Sequence, residues 1–596
     1  MLGFEYIKNW ESIFHPFLTT LFGVISYLSI LAIGRIEIKL LKIKISRIWD
    51  LSARIILGVF TLSLLNQVLA YLKINTYQTY IFLIAIFTII SFWEILNIEL
   101  KKFKLIKKDM IPLSFLSIIF FVRYTLSIIP SSKIDELNYH MFTPLRIVSD
   151  EALIYYQFPW PASIWPHMHY QILGAPFYSI GYPDSLNLLS LAIFSAFIYT
   201  VYLLIKENTN NSNLGLWAGV IVATGLHSTV DITTNSSNAL LLLGSSLSLI
   251  VLCDSSRFMP SKDLRSFSFY FGLLFLATIS SKVSMLPISF LMIFLFIKVV
   301  CDYWSSKVLL RAFSYFITPL LIFYLPLLIY TWIESGSPFG AFLNSTFTGQ
   351  EPIYDPYLEF RDGKMGYRGN FKEISFFLLT KWSPLIWISW IFLPLKRINL
   401  RSKLIISSIF MIQFFVIWAL LPNRPRHFGG LQYVALVMIF IEIIPIIYSK
   451  FRNFLISLFL LSSIPWIFLD IYYALPLVSK AITRPEKFKN DYIPFFSDFK
   501  KIDQLIEKNA QLFVIGTRLN NFHAPRKVFL NKIDVKERNL PTYLFLVGEK
   551  NLNSLKDFNL ENKIYENIYA KKFCYRTPGK KCDTDKLSVY KINFND

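Results

Sequence analysis

The chain has 596 residues, of which 54% are hydrophobic and 56 are phenylalanine, with a mean hydropathy of +0.47. Apolar runs of roughly 15–20 residues recur along it, which is bilayer-spanning length and excludes an ordinary soluble domain. The formal net charge of +21 gathers in alternate short connectors such as Arg35–Arg47, Lys101–Lys108 and Lys396–Lys403. It therefore reports topology under the positive-inside bias and not a nucleic-acid partner.

Glu5 and Glu11, with no small-residue cleavage site, argue against a signal peptide. The N-terminus is expected to be retained and to begin outside the cytosol. The predicted spans, in chain order, are Phe17–Ile33, Ile55–Leu72, Tyr80–Leu96, Ile111–Ile129, Leu186–Ile205, Leu214–Leu226, Ala239–Cys253, Phe267–Ile279, Val283–Val300, Phe313–Ile333, Ile374–Leu395, Leu404–Leu421, Leu431–Tyr448 and Phe454–Ala474. They make a mainly α, polytopic helical membrane protein of about fourteen spans. With the first basic connector inside, those at Lys101, Arg257–Arg265, Lys307–Arg311, Lys396 and Lys450–Arg452 also fall inside. Two long loops, 131–185 and 334–373, fall outside, as does the tail.

The tail, 475–596, is polar and carries β-like runs: "LFVIG", "TYLFLVG" and "LSVYKI". It reads as a small extracytoplasmic α/β domain. Cys574 and Cys582 lie close enough in the tail for a disulfide to close a small loop in an oxidising compartment, or both are free thiols. Cys253 and Cys301 sit at predicted cytosolic helix ends.

The outer face collects ionisable residues. "SSKIDELNYHMFTPLRIVSDEA" follows the fourth span with Asp135, Glu136, His140, Arg146, Asp150 and Glu151. On an interfacial helix, Leu137, Met141, Leu145 and Val148 share a face that can meet lipid. Asp135, Glu136 and His140 then lie away from it. A carboxylate at a membrane boundary is partly desolvated, which raises its basicity and suits it to take a proton from a hydroxyl or amine. The plainer alternative is a solvated loop marking the membrane edge. Arg123 lies within the fourth span, where an ionisable group is functional by default. His227 and Asp231 precede the seventh span, Lys282 occupies the tight turn "SSKVS", and "LPNRPRHFGGLQY" brings Arg424, Arg426 and His427 outside. Cations at this face suit a lipid phosphate, or else snorkel as anchors. In "WPHMHY", His167 and His169 are two apart but lack a third metal ligand. They read as polar contacts in an aromatic-rich loop, and no cofactor is expected, with a divalent metal left open. Phosphate-loop, H-E-x-x-H and G-x-S-x-G motifs are absent from the sequence.

"DELNYHMFTPLRI" resembles the first-loop signature of bacterial membrane glycosyltransferases of the GT-C superfamily, the lipid-linked-sugar enzymes related to protein mannosyltransferases and the aminoarabinose transferase of lipid A. The matching residues are Asp135, Tyr139 and His140. "YPDSLNLLSLAIF", "ESGSPFGAF" and "RPRHFGGLQYVAL" are similar to later segments, with His427 where the family usually has Tyr. The resemblance covers about 111–474 as a GT-C-like catalytic module. Residues 1–110 are then an N-terminal transmembrane extension, which departs from the compact family plan.

The resemblance implies sugar transfer from a polyprenyl-phosphate donor to a cell-envelope acceptor at the periplasmic side of a bacterial inner membrane. It makes Asp135 the general base for the acceptor, or the residue that orients it, with Glu136 as its alternate and His140 nearby. Asp231 would be a second acidic site residue, and Lys282, Arg424 and Arg426 would hold the donor phosphate, with Arg123 and His427 completing the site. A polymer or O-antigen ligase is the nearer alternative, and a lipid-linked glycan transporter or flippase the more distant one.

Overall fold

A computed structural model describes residues 14–97, 107–131, 136–153, 168–224, 233–282, 285–338, 398–420, 430–447, 449–515, 520, 522–526, 528, 540–547, 558–570 and 584–594. Among them, seven helices are long and apolar enough to cross a membrane: His15–Leu40, Arg47–Tyr71, Tyr77–Leu96, Lys107–Ser127, Ser185–Thr209, Leu286–Tyr303 and Ser306–Glu334. The chain is a helical membrane protein that also carries a small sheet. The predicted span 374–395 lies outside the described residues.

The first three helices are α1 (His15–Leu40), α2 (Arg47–Tyr71) and α3 (Tyr77–Leu96). α1 and α2 cross so closely that a Cβ on Gly58 would stand 2.1 Å from the carbonyl oxygen of Ile30, and one on Gly34 would stand 2.1 Å from that of Arg54. Small residues let the backbones meet where lipid offers no hydrophobic drive between helices. Arg35 pairs with the buried carboxylate of Glu94 at 2.6 Å, and Arg54 approaches the same oxygen at 3.7 Å, which ties α3 to the pair.

Then come α4 (Met110–Ser127), the short helices α5 (Phe142–Ser149), α6 (His169–Leu173) and α7 (Ala175–Ser179), and the long α8 (Ser185–Thr209). α9 (Ser212–Thr224), α10 (Asn238–Cys253) and α11 (Leu264–Ile279) are shorter and largely buried. The N-terminal helices share one hydrophobic core with the rest of the bundle. The hydroxyl of Ser185 donates to the carbonyl of Thr19 at 3.2 Å, which joins the start of α8 to α1.

The described connectors meet at the two ends of the bundle. At one end, Ser46 N–H donates to Pro260 at 3.0 Å and Asn213 Nδ2 donates to Lys108 at 2.6 Å. Ser402 donates to Cys253 at 2.8 Å, and Arg257 pairs with Glu442. At the other end, Asn75 Nδ2 donates to Ile147 at 2.8 Å and Ser237 donates to Ser281 at 3.1 Å.

Helix α12 (Leu286–Tyr303) is followed by α13 (Leu309–Pro319), a π-helical turn and α14 (Leu325–Ser335). The turn falls where Pro326 has no N–H to give to Ile322. α15 (Leu400–Leu420) and α16 (Leu431–Glu442) complete the middle of the bundle. The sequence predicted a full span over 431–448, but α16 has 12 residues and rises only about 18 Å. Its first turn follows Gly430, whose N–H donates to the hydroxyl of Ser245 at 2.8 Å, halfway along α10. A Cβ at Gly430 would collide with Ser246 Oγ at 1.8 Å. α17 (Ser449–Thr483) runs nine residues past the predicted end at Ala474.

The tail holds α18 (Pro485–Tyr492), α19 (Phe496–Leu505) and four strands: β1 (Gln511–Ile515), β2 (Thr542–Val547), β3 (Phe558–Ala570) and β4 (Thr584–Phe594). Sheet order is β1-β2-β4-β3, with β1 and β2 parallel and the other pairs antiparallel. α19 lies on the sheet, with Phe499 6.0 Å from the ring of Phe545 and Asp498 accepting from Tyr565 and Asn567 of β3 at 2.7 and 2.6 Å. The three quoted β-like runs are β1, β2 and β4. β3 is polar and an edge strand, which is why its pattern does not announce it.

Candidate functional site: the Glu136 turn

α4 ends just before Pro130. The described chain resumes as a π-helical turn, Glu136–His140, in which the Glu136 carbonyl accepts the Met141 N–H at 2.8 Å. That five-residue spacing widens the turn before α5 begins. Leu137, Met141 and Leu145 are buried in the core shared with the spans. This corrects the expectation that they face lipid. Helical spacing identifies an apolar face but not the material that covers it.

Glu136 is 3% exposed. One carboxylate oxygen accepts the backbone N–H of Asn235 at 2.7 Å, and the other accepts the hydroxyl of Ser131. A buried carboxylate needs such donors to offset its desolvation. Glu136 thereby fastens the end of the α4 connection to the segment that opens α10. Asn235, fully buried, donates its side-chain N–H to the Tyr178 hydroxyl at 2.7 Å and to the Pro183 carbonyl at 3.3 Å. Burial, together with the nearby Glu136 carboxylate, pushes the Tyr178 phenol well above its usual value, so it stays protonated.

His140 is partly exposed. Gln171 Nε2 donates to its Nδ1 at 2.7 Å and also reaches the Asn235 carbonyl at 3.5 Å. This network joins the Glu136 turn, α6, α7 and the segment before α10 into one polar cluster at one end of the bundle.

Lys282 belongs to the same end. Its preceding residue, Ser281, accepts from Ser237, two positions beyond Asn235, and its own carbonyl accepts the Met285 N–H at 3.1 Å. Arg123 lies on α4, 1% exposed. It donates to the Ala223 carbonyl in the last turn of α9 and lies 5.5 Å from the Phe194 ring. A cation on C-terminal carbonyls complements the helix dipole, which gives Arg123 a structural task. His169, the first residue of α6, is buried against α2, with Nδ1 3.1 Å from Gln67 Nε2 and 3.3 Å from the Ser63 hydroxyl. Among the described residues no three metal-ligating side chains gather. Asp135, Asp231, Arg424, Arg426, His427, His167, Cys574 and Cys582 lie outside the described residues.

Sequence reading passed over Asn235, Gln171 and Tyr178, which are uncharged and carry no motif. The signal that was available is "TTNSSN", a dense run of amides and hydroxyls directly before an apolar helix.

Compared with known proteins, the chain matches no family model, and no curated relative matches it.

Proposed function

We propose that the protein is an integral membrane glycosyltransferase that moves a sugar from a polyprenyl-phosphate donor to a cell-envelope acceptor at the extracytoplasmic face. The observation that carries this reading is the polar cluster at one end of an apolar bundle. There Glu136, His140, Gln171, Asn235 and the Lys282 turn converge from distant parts of the chain. The resemblance of "DELNYHMFTPLRI" to the GT-C first loop points the same way.

In this mechanism Asp135 removes the proton from the acceptor, and Glu136, held by two donors, fixes the turn that presents it. Phosphate is already a competent leaving group. The catalytic need is therefore to position the acceptor and stabilise the departing charge. Lys282, Arg424 and Arg426 are the cations for that charge.

The test compares cell-envelope glycans by mass spectrometry in cells with the protein, without it, and with Asp135→Asn. A glycan lost in both altered strains, with the variant still present at normal membrane levels, supports the transferase. An unchanged glycan profile in the Asp135→Asn strain removes Asp135 from the mechanism. A glycan precursor that fails to change sides would favour the flippase alternative.

A further inference from the structure

We propose that the sheet domain is a positioning part of the Glu136 site, and that Phe522 is the residue through which it acts. Its consequence for transfer rests on the glycosyltransferase reading above; its consequence for the Glu136 turn does not.

The domain and the bundle exchange side chains in both directions. Phe142, from α5, is buried in the core of the sheet domain with Phe495, Phe499 and Val528. In return Phe522, Phe496, Phe488 and Ile493 of the tail are buried in the core of the bundle, with Leu137, Met141 and Tyr178. A loosely tethered domain would keep its apolar side chains to itself.

The contact also reaches the polar cluster itself. The Phe522 N–H donates to the carbonyl of Leu137, the residue after Glu136, at 3.0 Å. The Phe522 ring stands edge-on to Tyr178, centroids 6.2 Å apart at 88°. Tyr178 holds the amide of Asn235, whose backbone N–H holds Glu136. So Phe522 touches the Glu136 turn directly through the main chain and again through Tyr178 and Asn235.

A second tie fixes the far end of the same stretch. Arg146 donates to the Val528 carbonyl at 2.6 Å while its other nitrogens hold Asp150 at 2.7 and 2.8 Å. Val528 itself bridges to Leu512 of β1. Residues 137–146 are thus pinned at both ends to the sheet domain. A simple cover over the bundle end would need apolar contact but no main-chain bond to the residue beside the acid.

The experiment uses the full chain in lipid nanodiscs and reads amide hydrogen exchange over residues 136–142. Residues 54–58, at the α1–α2 crossing, serve as the internal control. Phe522→Ala empties a buried aromatic site, so exchange in 136–142 rises by about tenfold or more with the control unchanged. Phe522→Leu restores apolar volume and most of the protection. In cells where Asp135→Asn abolishes transfer, Phe522→Ala lowers turnover more than it raises the donor concentration needed, and Phe522→Leu rescues it.

Unchanged exchange over 136–142 in Phe522→Ala overturns the proposal whatever the transfer assay shows. Faster exchange with full transfer reduces the contact to a cover and also overturns it. If Phe522→Ala loosens the control as well, Arg146→Lys takes its place. It keeps a charge for Asp150 but lacks the planar fork that serves Asp150 and Val528 together, and protected 136–142 amides in that variant count against the proposal. Because exchange is read without substrate, it gives the same answer whether or not Asp135 is the general base.

Discussion

Asn235 and Glu136, 99 positions apart in the chain, meet through a main-chain N–H and a carboxylate oxygen 2.7 Å apart. The other carboxylate oxygen holds Ser131, so the side chain is committed to joining two segments. Under the proposed function, the chemistry on the acceptor then falls to its neighbour Asp135.

That division of labour predicts opposite outcomes for two substitutions. In Glu136→Gln the remaining oxygen still accepts from Asn235, and the new N–H₂ donates to Ser131 once its hydroxyl rotates. The cost is about 1 kcal/mol, the loss of charge assistance, and transfer persists. Glu136→Ala leaves two buried donors without acceptors, at about 1–3 kcal/mol each, and transfer falls with thermal stability. Thermal unfolding in detergent and glycan transfer measured on both variants check this. A dead but stable Glu136→Gln would make Glu136 itself the reacting group.

His523 makes the docked sheet domain sensitive to acid. Its ring is buried between Phe522, 4.8 Å away, and Phe496, 5.9 Å away, and Nδ1 lies 3.0 Å from Asn520 Oδ1. Burial pushes its imidazole down to about 3. The folded value lies below the unfolded one of roughly 6.5, so the neutral ring is the form that folding favours. The associated stability is fully present above about pH 6.5 and is lost as pH falls toward 3, by about 2 kcal/mol at pH 5. Limited proteolysis of the tail against pH should show release below pH 6.5, and a flat response down to pH 4 would contradict it.

The crossing of α1 and α2 predicts a steep difference between two glycines. Gly58→Ala drives a methyl to 2.1 Å from the Ile30 carbonyl oxygen, which only backbone movement can relieve, at about 1–3 kcal/mol or more. At Gly219 the nearest atom is a side-chain methyl, Ile198 Cγ2 at 3.1 Å, which need give by only a few tenths of an ångström, and alanine gains about 1 kcal/mol of helix propensity. The fraction surviving brief heating, read by size-exclusion chromatography, should drop for Gly58→Ala and hold for Gly219→Ala.

Much of the bundle was legible because a bilayer imposes length and apolarity on each crossing segment. Connectors far apart in the chain meet at one end of the bundle, Ser46 with Pro260 and Ser402 with Cys253. Hydropathy does not register depth, which is why α16 reads as a full span although it starts at Gly430 against the middle of α10. Nor does it distinguish lipid from protein as the cover for Leu137 and Met141. The charged members of the Glu136 turn stood out in the sequence. The neutral amides of Asn235 and Gln171, which arrange them, did not, because an amide is as common in a solvated loop as in a buried network.

The reciprocal seating of Phe142 and Phe522 fixes when the protein can be finished. Arg146 is made 382 positions before the Val528 carbonyl that receives it, a delay of roughly 20–80 s at ordinary rates of translation. Throughout that interval α5 has neither the carbonyl that its arginine binds nor a home for its phenylalanine. A ribosome that stops within that interval would release a bundle whose α5 turn is unfastened, so maturation of the Glu136 turn waits on a segment made long after it.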